Sequence, residues 1–154
     1  MRLHYLFGRI ISPLHITGFY IHNLIFRTPR ARVVVRNEFG ELLLVKNWAG
    51  RQQWGLPGGG VERGETPDQA ARRELYEEIG LKIPIDQFSY IGTFVDRYTA
   101  PIFLVTIRND AVPEVAYNPR EIIAMKWFSI ASLPKDLSPL VTLALKSLSK
   151  TKEI

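Results

Sequence analysis

A chain of 154 residues is the size of one domain and long enough to bury a real core. It has no cysteine, which excludes disulfides and thiolate metal sites and permits a reducing cytoplasm, so any metal must be held by oxygen or histidine. The net charge of +5 suggests nucleic acid until it is located: residues 1–37 hold six arginines, no lysine and no acid, leaving 14 basic against 15 acidic residues beyond them. A basic stripe on the folded domain is therefore unsupported, and duplex nucleic acid is not an expected partner.

Residues 1–30 form an apolar, arginine-containing extension. Leu3, Leu6, Ile10 and Leu14 recur at helical spacing, Pro13 and Gly18 interrupt, and Phe19, Ile21, Leu24 and Ile25 continue the apolar run. A helical hairpin packed on the domain or on the second subunit of a homodimer is one reading. A peripheral membrane anchor is another, because arginines flank apolar and aromatic residues. A spanning helix is disfavoured: the seventeen uncharged residues from Ile10 to Phe26 include Pro13, His15, His22 and Asn23. No small-residue cleavage site follows the run, which argues against a cleaved leader.

The chain then becomes strand-like. Arg32 to Arg36 is β-branched, Asn37 to Gly40 reads as a turn, and Glu41 to Lys46 as a second strand, together a hairpin. The loop Asn47 to Gln53 carries Trp48 and Arg51 and reads either as a cleft border or as a plain surface loop. A short strand through Trp54-Gly55-Leu56 leads into Pro57-Gly58-Gly59-Gly60, a glycine turn whose backbone can pass close to a ligand.

Next comes the best-marked element of the chain. Thr66 caps a helix, Pro67 suits its first turn, Gln69 completes a capping box, and Gly80 supplies the left-handed closing residue. At about 100° per residue, Ala71, Leu75 and Ile79 make an apolar stripe, while Glu74, Glu77 and Glu78 cluster beside it. Like charges so spaced destabilise a helix by roughly 0.2–0.5 kcal/mol per pair, which suggests a cation among them; a solvated acidic face is the bland alternative. Ser89 to Val95, Pro101 to Ile107 and Ala124 to Ser129 read as further strands. Ser138 and Pro139 open a terminal amphipathic helix through about Leu148.

The run from Gly59 through Glu65 and Arg73-Glu74-Leu75 to Glu77-Glu78 and Gly80-Leu81 resembles a complete Nudix box, the signature of Nudix (MutT-like) hydrolases. The looser resemblance extends from about Ala31 to Leu133. It implies an α/β class fold, an α/β/α sandwich around a mixed β-sheet, with residues 31–154 as the domain.

The resemblance also implies chemistry. Glu77 and Glu78 correspond to principal metal ligands, Gly58 or Glu65 supplements them, Glu74 acts as ligand or base, and Arg73 orients the glutamates. Gly59 and Gly60 shape the phosphate end. Cleaving a phosphoanhydride needs cations on the phosphate oxygens, an aligned water and a base, and hard oxygen ligands favour Mg²⁺ or Mn²⁺. Glu121 is placed like a loop carboxylate that serves some relatives as ligand or base, against which stands a solvated loop glutamate; Glu114 is a weaker substitute.

The expected activity is divalent-metal-dependent pyrophosphohydrolysis of a nucleoside diphosphate derivative or a nucleoside triphosphate. The alternatives are a nucleotide sensor without turnover and a membrane-associated hydrolase of a lipid-linked nucleotide. Tyr98, Phe94, Phe103 and Trp48 are candidate base-stacking residues, with core packing as the competing role. Tyr98 sits near where dinucleoside polyphosphate hydrolases of the family carry a tyrosine, whereas the proline of ADP-ribose hydrolases is not evident at comparable spacing.

Overall fold

The computed structural model describes residues 29–48, 50–95, 99–108 and 117–150. The expected helical extension, membrane contact and dimer surface over residues 1–28 lie outside the described residues, as do Tyr98 and Glu114. Five strands form one sheet: β1 (Arg32–Asn37), β2 (Leu42–Asn47), β3 (Ser89–Val95), β4 (Thr99–Ile107) and β5 (Ile122–Phe128). Their spatial order is β3-β4-β1-β2-β5. β1 and β4 run parallel, with Val33 opposite Phe103 and Val35 opposite Val105, and every other pairing is antiparallel.

The sheet is buried on both faces because its central strands are apolar at consecutive positions, not alternate ones. Val33, Val35, Leu43, Val45, Phe103 and Val105 turn to one face, where they meet helix α1 (Pro67–Ile79) through Ala71, Leu75 and Ile79. Val34, Leu42, Leu44, Ile102 and Leu104 turn to the other and meet helix α2 (Pro139–Lys150) through Leu140, Val141, Ala144 and Leu148. Each fully buried leucine or isoleucine contributes about 1.5–3 kcal/mol. The result is the expected helix–sheet–helix sandwich.

Helix α1 begins and ends where its caps place it. The Thr66 N–H donates to Gln69 Oε1 at 3.0 Å, and Gly80 closes the helix with φ 70°. The β1–β2 turn is held by Asn37, whose buried side-chain oxygen accepts from the N–H groups of Phe39 and Glu41 at 3.1 and 2.9 Å. Two expectations are corrected. Trp54-Gly55-Leu56 makes only isolated bridges, to Val45 and Leu137, since Pro57 and the glycines end the pairing at once. Phe103 is buried, so the core role replaces stacking there, while Phe94 is half-buried against the α2-side core.

Candidate active site

The site lies where β1 begins, β2 ends and α1 packs across them. The glycine turn is zipped to the entry of β1: Ala31 N–H donates to Gly59 O at 2.9 Å, Val33 N–H to Pro57 O at 3.0 Å, and Val61 N–H to Pro29 O at 2.9 Å. Gly58 adopts φ +121°, and a Cβ there would collide with the Ala31 carbonyl. Only glycine fits that position.

This packing points the Gly58 N–H at Glu78. It donates to Glu78 Oε2 at 2.8 Å, and the Asn47 side-chain amide approaches Glu78 Oε1 at 3.5 Å. Glu78 is 3% exposed, a carboxylate within the apolar layer under α1. Burial pushes its pKa up to about 7, with Glu74 and Glu121 raising it further while Arg32 and the Gly58 amide oppose the shift. Glu74 is also raised, by burial first, and its carboxylate rests against Gly59.

Arg73 sits among the remaining acids. Nε and Nη2 grip Glu65 at 3.0 Å each, Nη1 donates to Glu74 and Glu77 at 2.9 Å, and Nη2 donates to Gly60 O at 2.8 Å. All five of its N–H donors are therefore engaged. The cation that the glutamate cluster suggested is here a guanidinium between Glu65, Glu74 and Glu77, and it holds the Glu65 carboxyl below its ordinary range.

Glu121 joins the cluster through its loop. Asn118 N–H donates to the Glu78 carbonyl at 2.7 Å, tying the loop to the end of α1, and Asn118 Nδ2 donates to Glu121 Oε1 at 3.0 Å. Burial and the charge of Glu77 raise the Glu121 pKa. Trp48 fastens the loop from the other side: its backbone N–H donates to Glu121 O and its indole Nε1–H to Pro119 O, both at 3.0 Å. Trp48 is thus tied to the loop that carries Glu121.

Among the described residues no three acidic or histidine side chains already form a metal cage. The donor set still fits Mg²⁺ or Mn²⁺: Glu74, Glu77, Glu78 and Glu121 offer only hard oxygens, and these ions retain several waters and need few protein ligands. Burial is the first cause of the upward shifts at Glu74, Glu78 and Glu121, and a cation beside them would favour their charged forms. Sequence reasoning missed Asn47, at the last position of β2, and Arg32, at the first of β1; their only sequence signal was a polar residue bounding an apolar run.

The fold and this helix of glutamates against a glycine turn define a Nudix-type α/β/α protein. A family model for the NUDIX domain matches residues 26–146, and the chain belongs to the Nudix hydrolase family. It is 52% identical over 54 residues to an RNA pyrophosphohydrolase of Aeromonas hydrophila, covering 35% of this chain and 30% of that protein. To an RNA pyrophosphohydrolase of Shewanella sediminis it is 36% identical over 96 residues, covering 62% and 51%. The chain thus spans about half or less of the length of these curated relatives. The structure of a MutT Nudix hydrolase from Burkholderia pseudomallei is similar with a TM-score of 0.65 and 25% identity, over 78% of this chain and 98% of that one.

Proposed function

We propose that the protein is a divalent-metal-dependent pyrophosphohydrolase that cleaves the phosphoanhydride of a nucleoside triphosphate or of a nucleoside diphosphate linked to another group. The observation that carries this reading is the meeting of Glu74 and Glu78 at the backbone of Gly58-Gly59, with Glu121 brought to the same cluster. Glu74, Glu77 and Glu78 would hold the cation, with Gly58 as a supplementary backbone ligand. When bound, the cation supplies neutralisation of the phosphate oxygens and of the leaving group. Glu121, whose proton affinity is raised, accepts the proton of the attacking water. Arg73 keeps Glu74 and Glu77 oriented, while Gly59 and Gly60 leave room at the phosphate end. The localisation that accompanies this reading is the cytoplasm, with membrane association as its alternative, and the cysteine-free chain permits a reducing compartment.

Relatives named RNA pyrophosphohydrolase favour a second substrate class, an RNA carrying a 5′ pyrophosphate linkage. The test is product release from a panel of nucleoside triphosphates, nucleotide sugars, dinucleoside polyphosphates and 5′-triphosphate RNA, with Mg²⁺ and Mn²⁺, beside Glu78→Gln. Turnover of one class that vanishes in the variant supports the hydrolase. Binding without turnover across the panel would leave a nucleotide sensor.

A further inference from the structure

Two arginines neighbour the carboxylates, and they are used in opposite ways. Arg73 has every donor engaged. Arg32, the first residue of β1, is half-buried and makes no side-chain hydrogen bond or ion pair with any described residue. Its Cα lies 3.1 Å from where a Cβ on Gly58 would stand, so its backbone floors the glycine that binds Glu78. Its positive charge is felt at both Glu74 and Glu78. Arg36, further along β1, contrasts with it in donating to Thr106 Oγ1 at 3.2 Å.

A half-buried arginine with no protein acceptor leaves its five N–H groups to water or to a ligand. If Arg32 served only to neutralise Glu78, a direct ion pair would be the natural arrangement, as Arg73 shows with Glu65. Among the described residues its donors instead meet no acceptor, while its backbone stands against the glycine whose N–H holds Glu78, at the entry of a central strand. The planar fork of a guanidinium matches two phosphoryl oxygens. We propose that Arg32 is the substrate's phosphate clamp, binding phosphoryl oxygens of a polyphosphate chain next to the Gly58–Glu78 contact.

The proposal rests on the hydrolase reading for its catalytic consequence, but its binding arm is independent of turnover. Wild type, Arg32→Gln and Arg32→Lys are titrated with inorganic tripolyphosphate in Mg²⁺ buffer by calorimetry. Km and kcat are then measured for a nucleoside triphosphate that the wild type hydrolyses, and thermal melting checks the fold. Arg32→Gln is expected to weaken tripolyphosphate binding about ten- to hundredfold, as loss of a charge-assisted contact does. Arg32→Lys should recover part of it, and KM should rise in parallel while kcat changes by less than about threefold. Equal affinity in all three folded proteins, no tripolyphosphate binding by the wild type, or a fall in kcat at constant KM would each overturn the clamp. Binding that depends on Arg32 in a protein that hydrolyses nothing would retain the clamp and refute the hydrolase.

Discussion

The carboxylate of Glu74 occupies the space that a side chain on Gly59 would need: a Cβ built there meets both Glu74 oxygens and the carbon between them. Gly58, one residue earlier, is restricted by backbone instead, with φ +121° and the Ala31 carbonyl in the way. Adjacent glycines should therefore fail differently. Gly59→Ala is expected to fold with a loss under about 1 kcal/mol, since the Glu74 side chain can swing aside, yet to lower kcat about a hundredfold. Gly58→Ala should cost about 2 kcal/mol or more of stability. Urea unfolding and initial rates on both variants check the pair.

Glu78 makes the metal-free protein sensitive to pH. Its folded pKa of about 7 lies above its ordinary 4.5, so the folded state binds the proton more tightly than the unfolded chain. Stability from this group is complete below the unfolded value and is lost as pH rises through the folded one. With chelator present, the melting temperature of the wild type should fall, relative to that of Glu78→Gln, between about pH 5 and pH 8. Saturating Mg²⁺ should reverse the fall, because a cation beside Glu78 favours its charged form. Parallel melts of the two proteins with and without Mg²⁺ measure it.

Removing Arg73 leaves three carboxylates without their shared partner. Arg73→Ala should destabilise by about 2 kcal/mol, discounted for the partial exposure of the guanidinium. Arg73→Lys should recover little, since one ammonium cannot grip Glu65 bidentately and also reach Glu74, Glu77 and Gly60 O. Denaturant melts and rates on both variants test this.

Glu121 separates the roles of base and ligand. Glu121→Gln keeps the shape of the loop; if the residue is the base, kcat falls by about a hundredfold or more while the Mg²⁺ concentration for half-activity stays constant. A ligand role would instead raise that concentration. Trp48→Phe, which removes the indole donor to Pro119 O, should reproduce a small part of the kcat loss by loosening the same loop.

Helix α1 was fully legible in the sequence because its signals are local: Thr66, Pro67, Gln69 and Gly80 each act within a few residues of chain. The strands were legible to within a residue or two wherever a β-branched run existed, as at Val33 to Val35. What escaped reading is non-local. Placing Glu77 and Glu78 on one face does not reveal that Glu78 is buried while Glu77 remains half-exposed, because that depends on Gly58 reaching across from another element. Asn47 and Arg32 gain their places only when β1 and β2 pair, and Trp48 gains its partners only when the loop before β5 closes on it.

The ladder between residues 29–33 and 57–61 has a practical and mechanical consequence. Pro29 and Ala31 are the outer rungs holding the glycine turn, and the Arg30 N–H is fastened in turn to Thr99 O at 2.8 Å. A shortened chain beginning at Arg32 would release Val61 and Gly59 and leave Gly58 unsupported, so a truncation that separates the N-terminal segment from the domain has to start before Pro29. By the same route, tension applied to the chain ahead of Pro29 is delivered first to the Val61 amide and the Thr99 carbonyl, and through the Ala31–Gly59 bond to the turn whose Gly58 amide holds Glu78.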